Sequence, residues 1–231
     1  MASFYDLDEL HVPFDELVER NGYSGYQVSY LRCLEEGEIP PLPLEESSWR
    51  EVMRSWRMEL GCVLPVRHVC QGRYGLFSAL GQSWVKRLAK LLDGASVLEV
   101  MAGRGWLSKA LGQCGVRCHA TDDMSWGWMF ERRPPVTAIE RMDAEAAVRR
   151  HGSRFDVLLM CWPPYGESSA AEAAAAWGIE KPIVFIGEDS GGCTADEMFF
   201  AGYEAEQADV GYPERDCLHD DVWIGRWIER G

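Results

Sequence analysis

The spacing of apolar residues divides this chain into a helical first part and an alternating second part. Residues 14–20 and 26–36 predict two short helices. The run Ile39-Pro40-Pro41-Leu42-Pro43-Leu44 forbids helix and reads as a stiff extended connector. Ser48 then opens a helical stripe of Trp49, Val52, Met53, Trp56 and Leu60, and residues 61–81 show no clear period. From there strand and helix patterns alternate. Ser83 is the expected cap of a helix over Trp84–Leu92, and Ser96–Met101 is a short β-branched apolar run, a buried strand. Gly103 and Gly105 break the run, Trp106, Leu107, Ala110, Leu111 and Cys114 share one helical face, and Gly115 ends that helix. Val116–Thr121 predicts a second strand ending on Asp122 and Asp123.

Further on, Met124–Phe130 predicts a short aromatic-rich helix and Val136–Arg141 a third strand, after which Asp143 caps a helix ending at Gly152. Phe155–Met160 is apolar throughout, as a central parallel strand should be. Ser169 with Glu172 and Thr194 with Glu197 read as capping boxes, with Pro182–Ile186 as a fifth strand between them. Glu204–Val210 and Val222–Trp227 alternate in the manner of a closing hairpin. Alternating strands and helices over 96–202 predict a parallel sheet. Ligands of such sheets sit beyond the carboxyl ends of the strands, where Gly103, Asp122, Asp143, Cys161–Tyr165 and Glu188 all fall.

Composition narrows the picture. At 231 residues and 47% hydrophobic the chain can build one sizeable core plus an appendage. No apolar run approaches the length of a membrane span, and the acidic start MASFYDLDEL is unlike a secretory signal, so the expected location is the cytoplasm. The net charge of −14 argues against a nucleic-acid partner. The eight cysteines show no C-x-x-C and no zinc spacing, so no metal is expected.

The stretch Ser96–Asp123 carries the candidate chemistry. Glycines at a strand end let a ligand approach the main chain, a helix N-terminus offers free N–H groups, and an acid at the next strand end can take both hydroxyls of a ribose. A dinucleotide loop wants a third glycine where this chain has Ser108, which makes an NAD-dependent oxidoreductase a distant reading. Val97-Leu98-Glu99-Val100-Met101-Ala102-Gly103-Arg104-Gly105 resembles motif I of the class I S-adenosylmethionine-dependent methyltransferases, with Met101 in place of the first glycine. Cys161-Trp162-Pro163-Pro164-Tyr165-Gly166 resembles motif IV of the amino-methyltransferases, with Trp162 where an oxygen-bearing side chain is usual. An indole N–H only donates, which disfavours methylation of a base amino group.

The resemblance covers roughly residues 83–228. It implies a Rossmann-like three-layer α/β/α sandwich, a mostly parallel seven-stranded sheet with a C-terminal antiparallel hairpin. Residues 1–82 form a helical N-terminal extension or lid and 83–231 the methyltransferase domain. S-adenosyl-L-methionine is the implied cofactor, contacted by Glu99, Met101, Ala102, Gly103, Gly105, Asp122, Asp123, Asp143, Ala144 and Cys161, with Tyr74 reaching in from the lid. Trp162, Tyr165 and Glu188 are the catalytic candidates: Tyr165 stacks on a flat acceptor and Glu188 orients or deprotonates it. The expected reaction is direct methyl transfer to O or N of a small molecule, peptide or protein. The alternatives are a nucleic-acid amino-methyltransferase and a non-catalytic binding module of the same fold.

Overall fold

The structure, a computed structural model, describes residues 10–41, 64–190, 192–213 and 219–228. The predicted stripe from Trp49 to Leu60 lies outside them. The helices are α1 (Phe14–Asn21), α2 (Gly25–Glu35), α3 (Val66–Tyr74), α4 (Gln82–Leu92), α5 (Trp106–Gln113), α6 (Trp128–Glu131), α7 (Ala144–His151), α8 (Ser169–Trp177) and α9 (Glu197–Gly202). The strands are β1 (Val97–Val100), β2 (Cys118–Asp122), β3 (Ile139–Arg141), β4 (Val157–Cys161), β5 (Ile183–Glu188), β6 (Tyr203–Gln207) and β7 (Asp220–Trp227). They form one seven-stranded sheet in the order β3-β2-β1-β4-β5-β7-β6. β1 to β5 run parallel, and β7 lies antiparallel between β5 and β6. This is the Rossmann-like architecture with a closing antiparallel hairpin that the alternation of patterns implied.

Strand side chains alternate between two cores. Val97, Val157, Leu159, Val184 and Ile186 join one core with α1 to α5, while Leu98, Val100, Leu158, Met160, Ile183 and Phe185 join another with α7, α8 and α9. β4 and β5 are covered on both faces, which is why their sequences are apolar at consecutive positions.

Several boundaries shift for local reasons. α4 begins at Gln82, one residue before the expected cap Ser83, because Gln82 N–H donates to the Pro40 carbonyl (2.9 Å) and Gly81 holds the extended N-cap position. β3 starts at Ile139, since Val136 N–H is drawn to the Arg104 carbonyl (2.9 Å) in the loop after β1. The α8 box does not form at Ser169: Ser168 stands at the N-cap, its hydroxyl bonded to Glu172 Oε1 at 2.8 Å. α9 is capped by Asp196, which accepts from Phe199 N–H (2.9 Å), while Thr194 turns its hydroxyl to the Glu188 carbonyl (2.7 Å). Helix in the 124–131 stretch is confined to Trp128–Glu131.

The N-terminal helices are fastened through Glu35, at the end of α2. Its carboxylate accepts from Arg73 Nε and Nη2 (both 2.9 Å), Tyr74 Oη (2.7 Å) and Arg133 Nη2 (2.7 Å). The Arg73 side chain, 4% exposed, also donates to the carbonyls of Leu10 and Val12. Burial pushes the Glu35 carboxyl upward, but Arg73, Arg133 and Tyr74 outweigh it and bring its pKa from 4.5 down to about 2. A depressed carboxylate contributes stability above its unfolded pKa and loses it as pH falls through the folded one. Glu35→Gln is therefore expected to cost about 1–2 kcal/mol at pH 7, discounted for the solvent at this half-buried site. The gap to the parent should close between pH 4.5 and 2, which urea unfolding at a series of pH values measures directly.

Candidate functional site

The loop after β1 has a conformation that few side chains tolerate. Met101 and Gly103 sit at φ +55° and Gly105 at φ +80°. Met101 thus adopts the left-handed backbone of the glycine it stands in for, a strain of roughly 1 kcal/mol or more. The turn is closed by Gly105 N–H to the Ala102 carbonyl (2.9 Å) and tied to β2 by Ala102 N–H to the Thr121 carbonyl (3.0 Å). Asp122, last in β2, accepts from Gly103 N–H at Oδ2 and from Met124 N–H at Oδ1, each at 2.7 Å. An ionised carboxylate has about four lone-pair directions, so about two remain for a ligand. Burial raises the pKa of Asp122, and those two N–H bonds partly offset the rise. Asp123 is exposed and accepts from Ser125 N–H (2.8 Å).

These residues open onto a cleft with about 930 Å³ of empty space, counting the solvent at its open mouth. Its floor is Glu99, Met101, Ala102 and Gly103; Asp122 and Asp123 stand on one side, Asp143 and Ala144 further along, and Cys161, Trp162 and Pro164 opposite. Ten of the residues expected at the site from sequence therefore meet in one cavity. Asp143 caps α7 through Ala146 N–H (2.8 Å) with one oxygen, leaving the other.

Glu99 is the electrostatic centre of the floor. It is 1% exposed, and its Oε2 has no hydrogen-bond partner. Burial raises its pKa from 4.5 to about 7; Ser108 works the other way and Asp122 adds to the rise. A buried carboxylate with one oxygen left unpartnered is costly, and that oxygen suits a cationic group arriving from the cleft. The Ser169 hydroxyl, also in the cleft wall, is buried and unpartnered as well.

Four expected residues do not line the cavity. Gly105 packs away from it: a Cβ there would come within 2.6 Å of Thr137 Cγ2 and 3.2 Å of Ile139 Cδ1. Tyr74 is fully buried with its hydroxyl on Glu35, and its carbonyl accepts from Arg104 Nη1 (2.9 Å) and Trp106 Nε1 (2.8 Å). Tyr165 is 59% exposed, turned outward where Gly166 N–H bonds the Ala195 carbonyl (2.7 Å). Glu188, 6% exposed, is occupied by Cys193 N–H and Sγ–H (2.8 and 2.7 Å) and by His219 N–H (3.3 Å). Burial pushes its carboxyl up, and the bonds from Cys193 and His219 outweigh that and hold it below the usual range.

Trp162 holds the opposite wall. It too lies at φ +55°, and its indole N–H donates to Asp220 Oδ2 (3.3 Å), which also takes the Tyr212 hydroxyl (2.6 Å). Its ring centroid is 6.3 Å from Phe77, and the Phe77 ring meets Trp126 edge-on at 5.8 Å. The roof, Gly75–Ser78 with Trp126, Met129 and Phe130, was not legible as a site. Its one signal was the density of aromatic residues in 124–130, which served there only to predict a helix.

No protein-family model matches the chain, and no curated protein matches it. Among solved structures it is similar to TehB from Haemophilus influenzae, at 12% identity over 70% of this chain and 66% of that one, TM-score 0.40. This chain thus spans just under two thirds of that protein. It is also similar to the Burkholderia thailandensis 1,6-didemethyltoxoflavin-N1-methyltransferase, at 16% identity over 83% and 95% of the two chains, TM-score 0.39. Human N-acetylserotonin methyltransferase shows 11% identity over 94% and 70%, TM-score 0.41. With β7 antiparallel between β5 and β6, and a cleft at the carboxyl ends of β1, β2 and β4, the chain has the Rossmann-like fold of the class I S-adenosylmethionine-dependent methyltransferases.

Proposed function

We propose that the chain is an S-adenosylmethionine-dependent methyltransferase acting on a nitrogen or oxygen of a small molecule or peptide. The observation that carries the reading is the unpartnered, buried Oε2 of Glu99 in the floor of a cleft whose side is Asp122 and Asp123. That donor set fits the cofactor. Glu99 would pair with its ammonium group, the open main chain at Ala102–Gly103 would face its amino-acid end, the free lone pairs of Asp122 would take the ribose hydroxyls, and Asp143 with Ala144 would border the adenine. When bound, the cofactor supplies an electrophilic sulfonium methyl that the acceptor displaces directly.

The protein's own part is alignment and exclusion of water. Phe77, Trp126 and Trp162 wall the cleft, and the ionisable side chains bordering it among the described residues are the acids Glu99, Asp122, Asp123, Asp143 and Glu167 and the Cys161 thiol. Tyr165 follows the lining residue Pro164 and would meet an acceptor only at the mouth; Glu188 would act on one only after releasing Cys193 and His219. The segment Gly75–Ser78 over the cleft supports a lid role for the N-terminal extension. The net charge and the donor-only Trp162 disfavour nucleic-acid acceptors.

Calorimetry with S-adenosylmethionine tests this. The parent should bind, and Asp122→Ala should weaken binding roughly 10- to 100-fold, the loss of hydrogen bonds to a charged acceptor. No heat from folded parent, or unchanged affinity in the variant, would remove the proposal.

A further inference from the structure

We propose a divalent transition-metal site, of the zinc or nickel type, built by His119, Glu140 and His151. It lies outside the cleft and belongs to three different elements: His119 to β2, Glu140 to β3 and His151 to the last turn of α7. Glu140 Oε2 lies 2.9 Å from His119 Nε2 and 2.9 Å from His151 Nε2, and the three ligand atoms all fall within 4.8 Å of one another. Two imidazoles and a carboxylate are a ligand set for such ions, with bonds near 2.0–2.2 Å, so ligand atoms around one ion stand roughly 3.3 Å apart. A small adjustment of His119, the more exposed of the two histidines, reaches that spacing.

A second observation points to a missing ligand. His151 is 5% exposed, yet its Nε2 makes no hydrogen bond: Glu140 Oε2 is close but off the direction of the ring nitrogen. Arg150 takes the other oxygen, Oε1, at 3.2 Å, while Oε2 is bonded to His119 Nε2 at 2.9 Å, a contact that an ion between the two atoms would replace. The Arg154 guanidinium donates to His151 Nδ1. A guanidinium only donates, so neutral His151 keeps its proton on Nε2. Capturing an ion requires Arg154, an exposed side chain, to turn outward, and the proton to pass from Nε2 to Nδ1. Arg154 is thus a competitor of the ion, and Arg117 and Arg150 beside the cluster add repulsion that an exposed side chain relieves by moving. Spacings of 21 and 11 residues between the ligands explain why no sequence motif announces them.

From His119 to Asp122 is three strand residues, about 10 Å, so an ion here would join β2, β3 and α7 rather than touch the cleft. The test uses untagged full-length protein titrated with Co²⁺ alone, followed by displacement with Zn²⁺. One equivalent should bind at micromolar concentration, with visible d–d absorption and no thiolate-to-cobalt charge-transfer band, and Zn²⁺ should raise Tm. His119→Ala should weaken binding at least roughly 100-fold, since even residues behind the ligands are worth 10–100-fold. Arg154→Ala should tighten it several-fold, which a merely structural arginine would not do. If His119→Ala misfolds by circular dichroism, Glu140→Gln serves in its place. Absence of saturable binding, binding unaltered by loss of a ligand, or a thiolate band would each overturn the site.

Discussion

Glu99→Gln should make the protein more stable and a poorer binder. The folded pKa of Glu99 is raised from 4.5 to about 7. A raised carboxyl contributes stability in its protonated form, fully present below the unfolded pKa and lost as pH rises through the folded one. Above pH 7 the native state therefore holds a buried anion with one oxygen unpartnered. Removing that charge is expected to stabilise the ligand-free protein by about 1–3 kcal/mol at pH 8.5; the upper end is the shift at 1.36 kcal/mol per unit, and burying the amide offsets part of it. Below about pH 4, where Glu99 is protonated in the folded and the unfolded chain alike, the two proteins should unfold alike. Binding moves the other way, since glutamine brings no charge to pair with an ammonium: affinity for S-adenosylmethionine should fall roughly 10- to 100-fold. In the parent, binding should release a proton near pH 7, seen as a dependence of the calorimetric heat on buffer ionisation enthalpy. A variant that binds normally, or one destabilised at pH 8.5, would contradict the role given to this acid.

Gly105→Ala should be the most damaging single-methyl change in the loop. The residue needs φ +80°, and a Cβ would stand 2.6 Å from Thr137 Cγ2. Left-handed backbone costs roughly 1–2 kcal/mol for a residue with a side chain, and overpacking adds roughly 1–3, so a total of about 2–5 kcal/mol is expected from urea unfolding. Gly103→Ala meets nothing nearer than the flexible Met129 Sδ, at 3.3 Å, and should cost about 1 kcal/mol for its backbone alone. Equal stabilities for the two variants would show that Thr137 yields easily. The comparison also separates two uses of glycine: Gly103 borders the cleft, whereas Gly105 lets the loop settle on Thr137 and Ile139.

The sheet was legible because its signals are local. A buried parallel strand is apolar at consecutive positions, as in β4, and a helix start such as Asp143 announces itself within three residues. The floor and side of the cleft followed, since residues at strand ends are brought together by the topology itself. Direction of side chains was not legible. Pro163-Pro164-Tyr165 fixes a turn, but its placement, with Tyr165 facing outward, involves Ala195, far along the chain, which accepts from Gly166 N–H and donates to the Pro163 carbonyl. Glu188 and Tyr74 were misplaced for the same reason: each is held by distant partners, Cys193 and His219 in one case and Glu35 in the other. The roof was missed because Gly75–Ser78 has no period to read and is placed by Tyr212, whose hydroxyl accepts from Ala79 N–H at 2.9 Å.

β7 follows β6 in the chain but stands between it and β5. During synthesis, then, residues 203–207 have no sheet neighbour until 220–227 have left the ribosome. The same late stretch brings Asp220, which anchors Trp162 and receives the Tyr212 hydroxyl. A nascent chain halted before residue 220 would carry every residue of the cleft floor and still lack the fastening of its far wall, so cofactor capture should come only after release of that final strand.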